Sequence, residues 1–281
     1  MTSGADLVSD YLVAQADEID RAGRAVLDGD PEGVHDLRVA CRRARSVLRA
    51  HRSLLRPTSR PMAEALVDDL RQLGLDLSDR RDDEVGRQLV RHWAEEDGWP
   101  PESLRAVLDA LGGAPSHPAA GGAVAVRAHG QATALRMWTD LARWRTRAGA
   151  DAPEALAPIA ARAAARLEQR FSAAVVSDHD DAGPAWHEVR KATKRVRYVA
   201  EVARPVVRSA AGVTRTAKNL QTVLGDRQDA QVVLERVSGD PGPTPAPLLL
   251  VAERARRGVD EAQGAAPGAY RALRDAQVAR T

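Results

Sequence analysis

The chain is short of cysteine, aromatic residues and long apolar runs, and each shortage excludes a class of protein. Cys41 is the only cysteine among 281 residues, which excludes an internal disulfide and a cysteine zinc site. Aromatic residues make up only 3%, so the core must consist of Ala, Leu and Val, a composition that suits close-packed helices better than sheets. No apolar run approaches a membrane span, and no signal peptide is recognisable. We therefore expect a soluble cytoplasmic protein without membrane contact.

Basic residues are concentrated locally, although the whole chain has a formal net charge of only +2. Residues 35–60 contain eight arginines and a single acid, Asp36. The only three lysines, Lys191, Lys194 and Lys218, all lie in the second half of the chain. A local cationic patch of this kind indicates an anionic partner more directly than net charge does.

A basic segment occurs twice, 152 positions apart. The first copy, His35 to Arg45, reads HDLRVACRRAR, and the second, His187 to Arg197, reads HEVRKATKRVR. Both begin with His, an acid, an aliphatic residue and Arg, and their later basic positions also match. Such an internal repeat predicts two related halves, each carrying one basic helix.

Helical geometry places the cations of each copy on one face. At 100° per residue, an apolar face lies opposite a basic face, so both segments are predicted to be amphipathic helices. Like charges at this spacing repel, so an anion elsewhere in the fold or in a ligand should compensate them. The two basic faces contain His35, Arg38, Arg42, Arg45 and Arg49, and His187, Arg190, Lys194, Arg197 and Glu201.

A second motif, Asp-Arg-x-Asp-x-x-Val, also occurs once in each half. It spans residues 79–85 and 226–232, downstream of the basic segment in both cases. We predict that Asp82 and Asp229 pair with arginines of the basic helices and orient them. The alternative is that the two are unrelated surface acids.

The periodicity predicts an all-α fold of two antiparallel four-helix bundles with long helices. No segment has a convincing strand pattern, and the short connections suit bundles. Gly149 and Asp151 mark the best boundary, because Asp151 can cap a helix that has Pro153 in its first turn. We therefore predict two domains, residues 1–149 and 150–281.

The two motifs together resemble those of the CHAD domain, the conserved histidine α-helical domain. His-x-x-Arg-x-x-x-Arg/Lys-Arg-x-Arg is followed by Leu-Gly-x-x-x-Asp, seen here at Leu224 to Asp229. His35 and His187 match the histidines of the family name, and the resemblance covers nearly the whole chain. The first copy departs from the second at Ser46, opposite Tyr198, and at Arg49, opposite Glu201.

This resemblance implies bundles related by pseudo-two-fold symmetry and a basic central surface that binds inorganic polyphosphate. It also implies association with polyphosphate granules. Some relatives carry an N-terminal CYTH domain, a triphosphate tunnel. The chain has no Glu-x-Glu-x-Lys motif of that domain, so we expect a stand-alone protein without triphosphatase activity.

The predicted polyphosphate groove joins the cations of both basic helices. Binding would rest on charge-assisted hydrogen bonds and on release of counterions, and histidine can donate one or two hydrogen bonds to phosphate oxygens. The central residues are His35, Arg38, Arg42, Arg45, His187, Arg190, Lys194 and Arg197. The surface extends to Arg43, Arg49, Lys191, Arg195 and Lys218, with Asp82, Asp229 and Tyr198 in support. For the histidines, the alternative is a capping or packing role.

Two other binding functions stay open. Nucleic acid is also a polyanion, but the basic helices contain no Asn or Gln to read bases, and Tyr198 is the only aromatic residue among the second helix's cations. A ligand with phosphates and no bases fits better. The other alternative is a helical module whose basic face binds an acidic protein.

Catalysis is not expected. Residues 178–181, Asp-His-Asp-Asp, are the only dense candidate for a metal site, and no His-Glu-x-x-His motif, Gly-rich phosphate loop or nucleophile motif accompanies them. We therefore predict no enzyme activity, no metal and no cofactor. The other histidines, which we expect to be solvated or incidental, are His51, His92, His117, His129 and His179.

Overall fold

The alternation of apolar and charged residues at helical spacing produces an all-α protein, as predicted. The computed structural model describes residues 2–30, 32–77, 79–111, 121–177, 179–238 and 246–278, without the side chains of 79–85, 147 and 179–181. These ranges contain ten α-helices and no β-strand. Among the helices described, none is long and apolar enough to cross a membrane.

Local signals account for most helix ends. The Ser3 side chain and Asp6 form a capping box at the first helix, and Gly29, with φ of 79°, follows its end. Pro153 lies in the first turn of the seventh helix. The helices are α1 (Gly4–Leu27), α2 (Gly33–His51), α3 (Arg60–Leu75), α4 (Asp79–Glu96), α5 (Pro101–Ala110), α6 (Gly121–Leu141), α7 (Ala152–Val175), α8 (His179–Ala203), α9 (Ala210–Ser238) and α10 (Ala246–Val278).

Two groups of four helices supply the main core. α1, α2, α3 and α6 pack together, and so do the consecutive helices α7 to α10. Trp138 anchors the first group, while Phe171 and Tyr270 stack with ring centroids 4.0 Å apart in the second. α2 also contacts α8, so the buried apolar residues form one continuous cluster across both groups.

Helices α4 and α5 leave the first group and pack on α9 and α10. Val90, Trp93 and Val107 form a separate apolar cluster there with residues such as Val233 and Val251. Part of the first half therefore covers the second half. The division into domains at residues 149 and 150 stays a prediction, because it concerns independent folding and not packing.

Candidate functional site

The basic helices α2 and α8 bury their apolar faces and direct cationic side chains toward the same region. Leu37, Ala40 and Ala44 of α2 are fully buried, and so is Val189 of α8. Because the apolar positions recur at helical spacing, the cationic positions share the opposite, more accessible face. The contact between α2 and α8 then brings both basic faces to one cleft.

That cleft, which we call the basic cleft, has a volume of about 650 Å³. It lies between α2, α8 and α9, and Gly86 of α4 contributes to its wall. Eight of the predicted cationic or histidine residues line it: His35, Arg38, Arg42, His187, Arg190, Lys194, Arg197 and Lys218. Tyr198 and Asp229, predicted as supporting residues, line it too.

The other five predicted cations do not line the basic cleft. Arg45 lies farther along α2, where its Nη1 atom would be 3.9 Å from a Cβ on Gly74 of α3. Lys191 bonds the Glu188 carboxylate on its own helix. The remaining three are Arg43, Arg49 and Arg195, which lie where α2 and α8 cross.

One face of α9 completes the cleft, and sequence reasoning identified only two of its members. Lys218 and Asp229 are separated by three helical turns and so share a face. The positions between them on that face, Gln221, Thr222 and Gly225, also line the cleft. The spacing of Lys218 and Asp229 was the signal that could have found them. Asp226 and Gln228 line the cleft as well.

Lys194 lies deep in the cleft, and its charge is weakly stabilised. Burial, followed by the positive charges of Arg190 and Arg42, lowers the pKa of its ammonium group to about 7, while Asp229 opposes the shift. Asp229 therefore lies near the Lys194 ammonium group. That it pairs with an arginine of a basic helix and orients it stays a prediction. The side chain of Asp82, its counterpart in the first half, lies outside the described residues.

Arg197 is held by a network that sequence reasoning missed. Its Nε donates to Glu201 Oε1 over 2.8 Å, and its Nη1 donates to Gln221 Oε1 over 2.9 Å. Tyr11 of α1 donates its hydroxyl to Glu201 Oε2 over 2.6 Å, and burial with the Glu201 charge raises the pKa of Tyr11. Glu201 thus joins the two halves of the chain and orients a cation of the cleft.

The histidines separate into different environments. His187 Nδ1 lies 3.3 Å from Gln228 Oε1 at the cleft, and His35 lines the same space. His51, expected to be solvated or incidental, is instead 1% exposed. Its Nδ1 lies 2.9 Å from the Val47 carbonyl oxygen, and burial lowers its pKa to about 4.

The candidate metal site at residues 178–181 has no described side chains. His117 and the side chains of residues 178–181, including His179, lie outside the described residues. Among the residues that are described, no group of three or more His, Cys, Asp or Glu side chains could hold a metal ion.

Comparison with known families places this architecture among related proteins. A family model described as "CHAD domain" matches residues 10–238. The chain is 31% identical over 245 residues to "Uncharacterized protein MT2285" of Mycobacterium tuberculosis (strain CDC 1551 / Oshkosh), covering 83% of this chain and 45% of that protein. The same values hold for "Uncharacterized protein Rv2226" of strain ATCC 25618 / H37Rv. The chain thus spans about half the length of the curated relatives it matches.

Two solved structures share the fold. PptA from Streptomyces chartreusis is similar with a TM-score of 0.67 at 20% identity, covering 96% of this chain and all 100% of that chain. The CHAD domain from the plant Ricinus communis is similar with a TM-score of 0.56 at 20% identity, covering 100% of this chain and 93% of that chain. At this identity, the similarity concerns the fold.

Proposed function

The chain belongs to the CHAD domain family, and on that premise we propose that it binds inorganic polyphosphate in the basic cleft without catalysing a reaction. The observation that carries the proposal is the convergence of Arg38 and Arg42 from the first half with Arg190, Lys194 and Arg197 from the second. The family resemblance indicates inorganic polyphosphate as the ligand, and the basic cleft is the site at which we propose that it binds. Association with polyphosphate granules is part of the same proposal.

The charge balance of the cleft supports a polyanionic ligand. Among the lining residues whose side chains the structure describes, there are six Arg and Lys and two carboxylates, those of Asp226 and Asp229. Arg and Lys make short, charge-assisted hydrogen bonds to phosphate oxygens. Because the cations project from packed helices, much of their ordering is already complete before the ligand arrives.

The shape and chemistry of the cleft favour a ligand without bases. Single-stranded nucleic acids need exposed aromatic platforms, but Tyr198 is only 2% exposed and Arg197 lies over its ring, 5.6 Å from the centroid. Gln221 and Gln228 do line the cleft, and glutamine can read adenine. Nucleic acid is therefore the competing ligand that the experiment must include.

The test is a binding titration with long-chain polyphosphate, single-stranded DNA and duplex DNA at several salt concentrations. We expect polyphosphate to bind most tightly at physiological salt, with an affinity that falls steeply as salt rises. DNA binding of equal or greater strength under those conditions would refute the assignment of polyphosphate.

Substitution within the cleft locates the site. Arg42→Gln with Lys194→Gln should weaken polyphosphate binding by at least about ten-fold, because two charge-assisted contacts are lost. Arg256→Gln with Arg271→Gln removes two exposed arginines of α10, which contributes nothing to the described lining of the cleft, and serves as the control. Similar losses in both double variants would show that the cleft is the wrong site.

The absence of catalysis is tested separately. Purified protein is incubated with polyphosphate and Mg²⁺, and orthophosphate is measured over time. We expect no release above the rate without protein. Release that is abolished by the Arg42→Gln, Lys194→Gln variant would overturn the proposal that the protein only binds.

A further inference from the structure

The two basic helices are copies of one repeat, but they carry different charges at the positions where they cross. The repeat spacing of 152 residues makes Arg43 equivalent to Arg195 and Arg49 equivalent to Glu201. On one side, Arg43 Nε faces Glu201 Oε2 at 3.9 Å. On the other side, Arg195 Nη2 lies 3.4 Å from the backbone oxygen of Arg49. Equivalent positions of the repeat therefore bring together an arginine and a glutamate on one side, and two arginines on the other.

Helix α7 adds two further arginines to the second side. Arg162 and Arg166 are one turn apart, on the same face of α7, and Arg162 Nη2 donates to Ser53 Oγ over 3.2 Å. Burial, followed by the charges of Arg166, Arg49 and Arg162, holds the pKa of Arg195 below its usual range. Four guanidinium groups from three helices therefore share one region, which we call the arginine cluster: Arg49, Arg162, Arg166 and Arg195.

A carboxylate pairs with the cations of the first side, whereas the members of the arginine cluster have no such pairing within the described residues. Glu201 accepts hydrogen bonds from both Tyr11 and Arg197, but its equivalent here is Arg49. Arg49 lines a hollow together with Glu64 and Asp68, but Glu64 pairs with Arg52. Within the described parts of the chain, no member of the arginine cluster forms an ion pair.

We propose that the arginine cluster is a second anion-binding subsite, which takes phosphates of a polyphosphate chain beyond those in the basic cleft. This inference rests on the proposed function. Arg42 and Arg49 lie two turns apart on nearly the same face of α2, about 10 Å along the helix. Arg45 lies between them on that face. Arg42, Arg45 and Arg49 therefore place three cations along α2 between the cleft and the cluster.

The experiment compares a short and a long ligand. Tripolyphosphate can occupy only one of the two sites at a time, whereas long-chain polyphosphate can span both. Arg162→Gln with Arg166→Gln should lower the affinity for the long chain about ten-fold more than the affinity for tripolyphosphate, as expected for two exposed ion pairs. The salt dependence of long-chain binding should also become shallower. The α10 double variant Arg256→Gln, Arg271→Gln is the control for net charge.

The outcomes separate the two proposals. Equal effects of the α7 variant on both ligands, or an effect no larger than that of the α10 control, would overturn the second subsite. If the unaltered protein binds neither ligand, the proposed function itself fails. We expect circular dichroism of the α7 variant to show a retained fold, since both side chains are exposed.

Discussion

Lys194 should make polyphosphate binding depend on pH above neutrality. Burial and then Arg190 and Arg42 lower the pKa of its ammonium group to about 7, and Asp229 acts in the opposite direction. A phosphate oxygen beside Lys194 favours the charged form and so raises this pKa toward its usual value of 10.5. At pH values between these two pKa values, the protein must therefore take up a proton at Lys194 when polyphosphate binds.

The magnitude follows from this difference. In the pH range where Lys194 is neutral in the free protein and charged in the complex, the logarithm of the association constant for polyphosphate falls by about one per pH unit. From pH 7.5 to pH 9.5 the affinity should therefore fall by as much as about 100-fold. Histidine side chains titrate near pH 6.5, so a measurement above pH 8 isolates the lysine.

The assay is calorimetry in two buffers with different heats of ionisation, which counts the protons taken up on binding. Lys194→Arg is the matched variant, because arginine keeps its charge throughout this range and should flatten the profile. A slope that survives in Lys194→Arg, or an unaltered protein that takes up no proton at pH 8.5, would refute the reasoning.

The same shift affects folding without ligand. The unfolded chain keeps the Lys194 proton up to about 10.5, whereas the folded protein loses it near 7. The unfolded state thus binds more protons in this window, and Lys194 should make the free energy of unfolding rise with pH there. Denaturant titrations of the protein and of Lys194→Met measure this term, which should be missing in the variant.

Three further predictions concern the fold that supports the cleft. Tyr11→Phe removes the hydrogen bond to Glu201 and should lower the free energy of unfolding by about 1.5–3 kcal/mol. If urea denaturation showed a decrease of only a few tenths of a kcal/mol, it would contradict that bond. Leu37→Ala creates a cavity behind α2 and should cost about 2–5 kcal/mol, whereas an unchanged urea midpoint would show that α2 does not pack there. Cys41 is buried, which raises the pKa of its thiol to about 12, so a thiol reagent should react only after unfolding; prompt reaction at pH 8 in the native protein would contradict this burial.

The helices were largely predictable, because amphipathic periodicity and capping are local. The capping residue Ser3 and the prolines in first turns place helix starts within a few residues. The path of α4 and α5 was not predictable. Val90 and Val107 have the same apolar pattern whichever bundle they cover, and only long-range packing places them on α9 and α10.

For the site, the repeat predicted which helices carry it but not which side chains converge. Arg45 and Arg42 share a helical face, yet only Arg42 lines the cleft, whereas the Arg45 guanidinium lies near Gly74 of α3. His51 was mistaken for a solvated residue since a single polar side chain gives no sign of its burial.

The sequence by itself determined the helical class, the two cationic stripes and their duplication, since these depend on the spacing of residues within one helix. Tertiary structure alone decided that α2 and α8 share one cleft and that Glu201 faces Arg43 while Arg49 faces Arg195. The reason is physical: a helix specifies the direction of its side chains around its own axis, whereas the partners they meet depend on how separate helices cross.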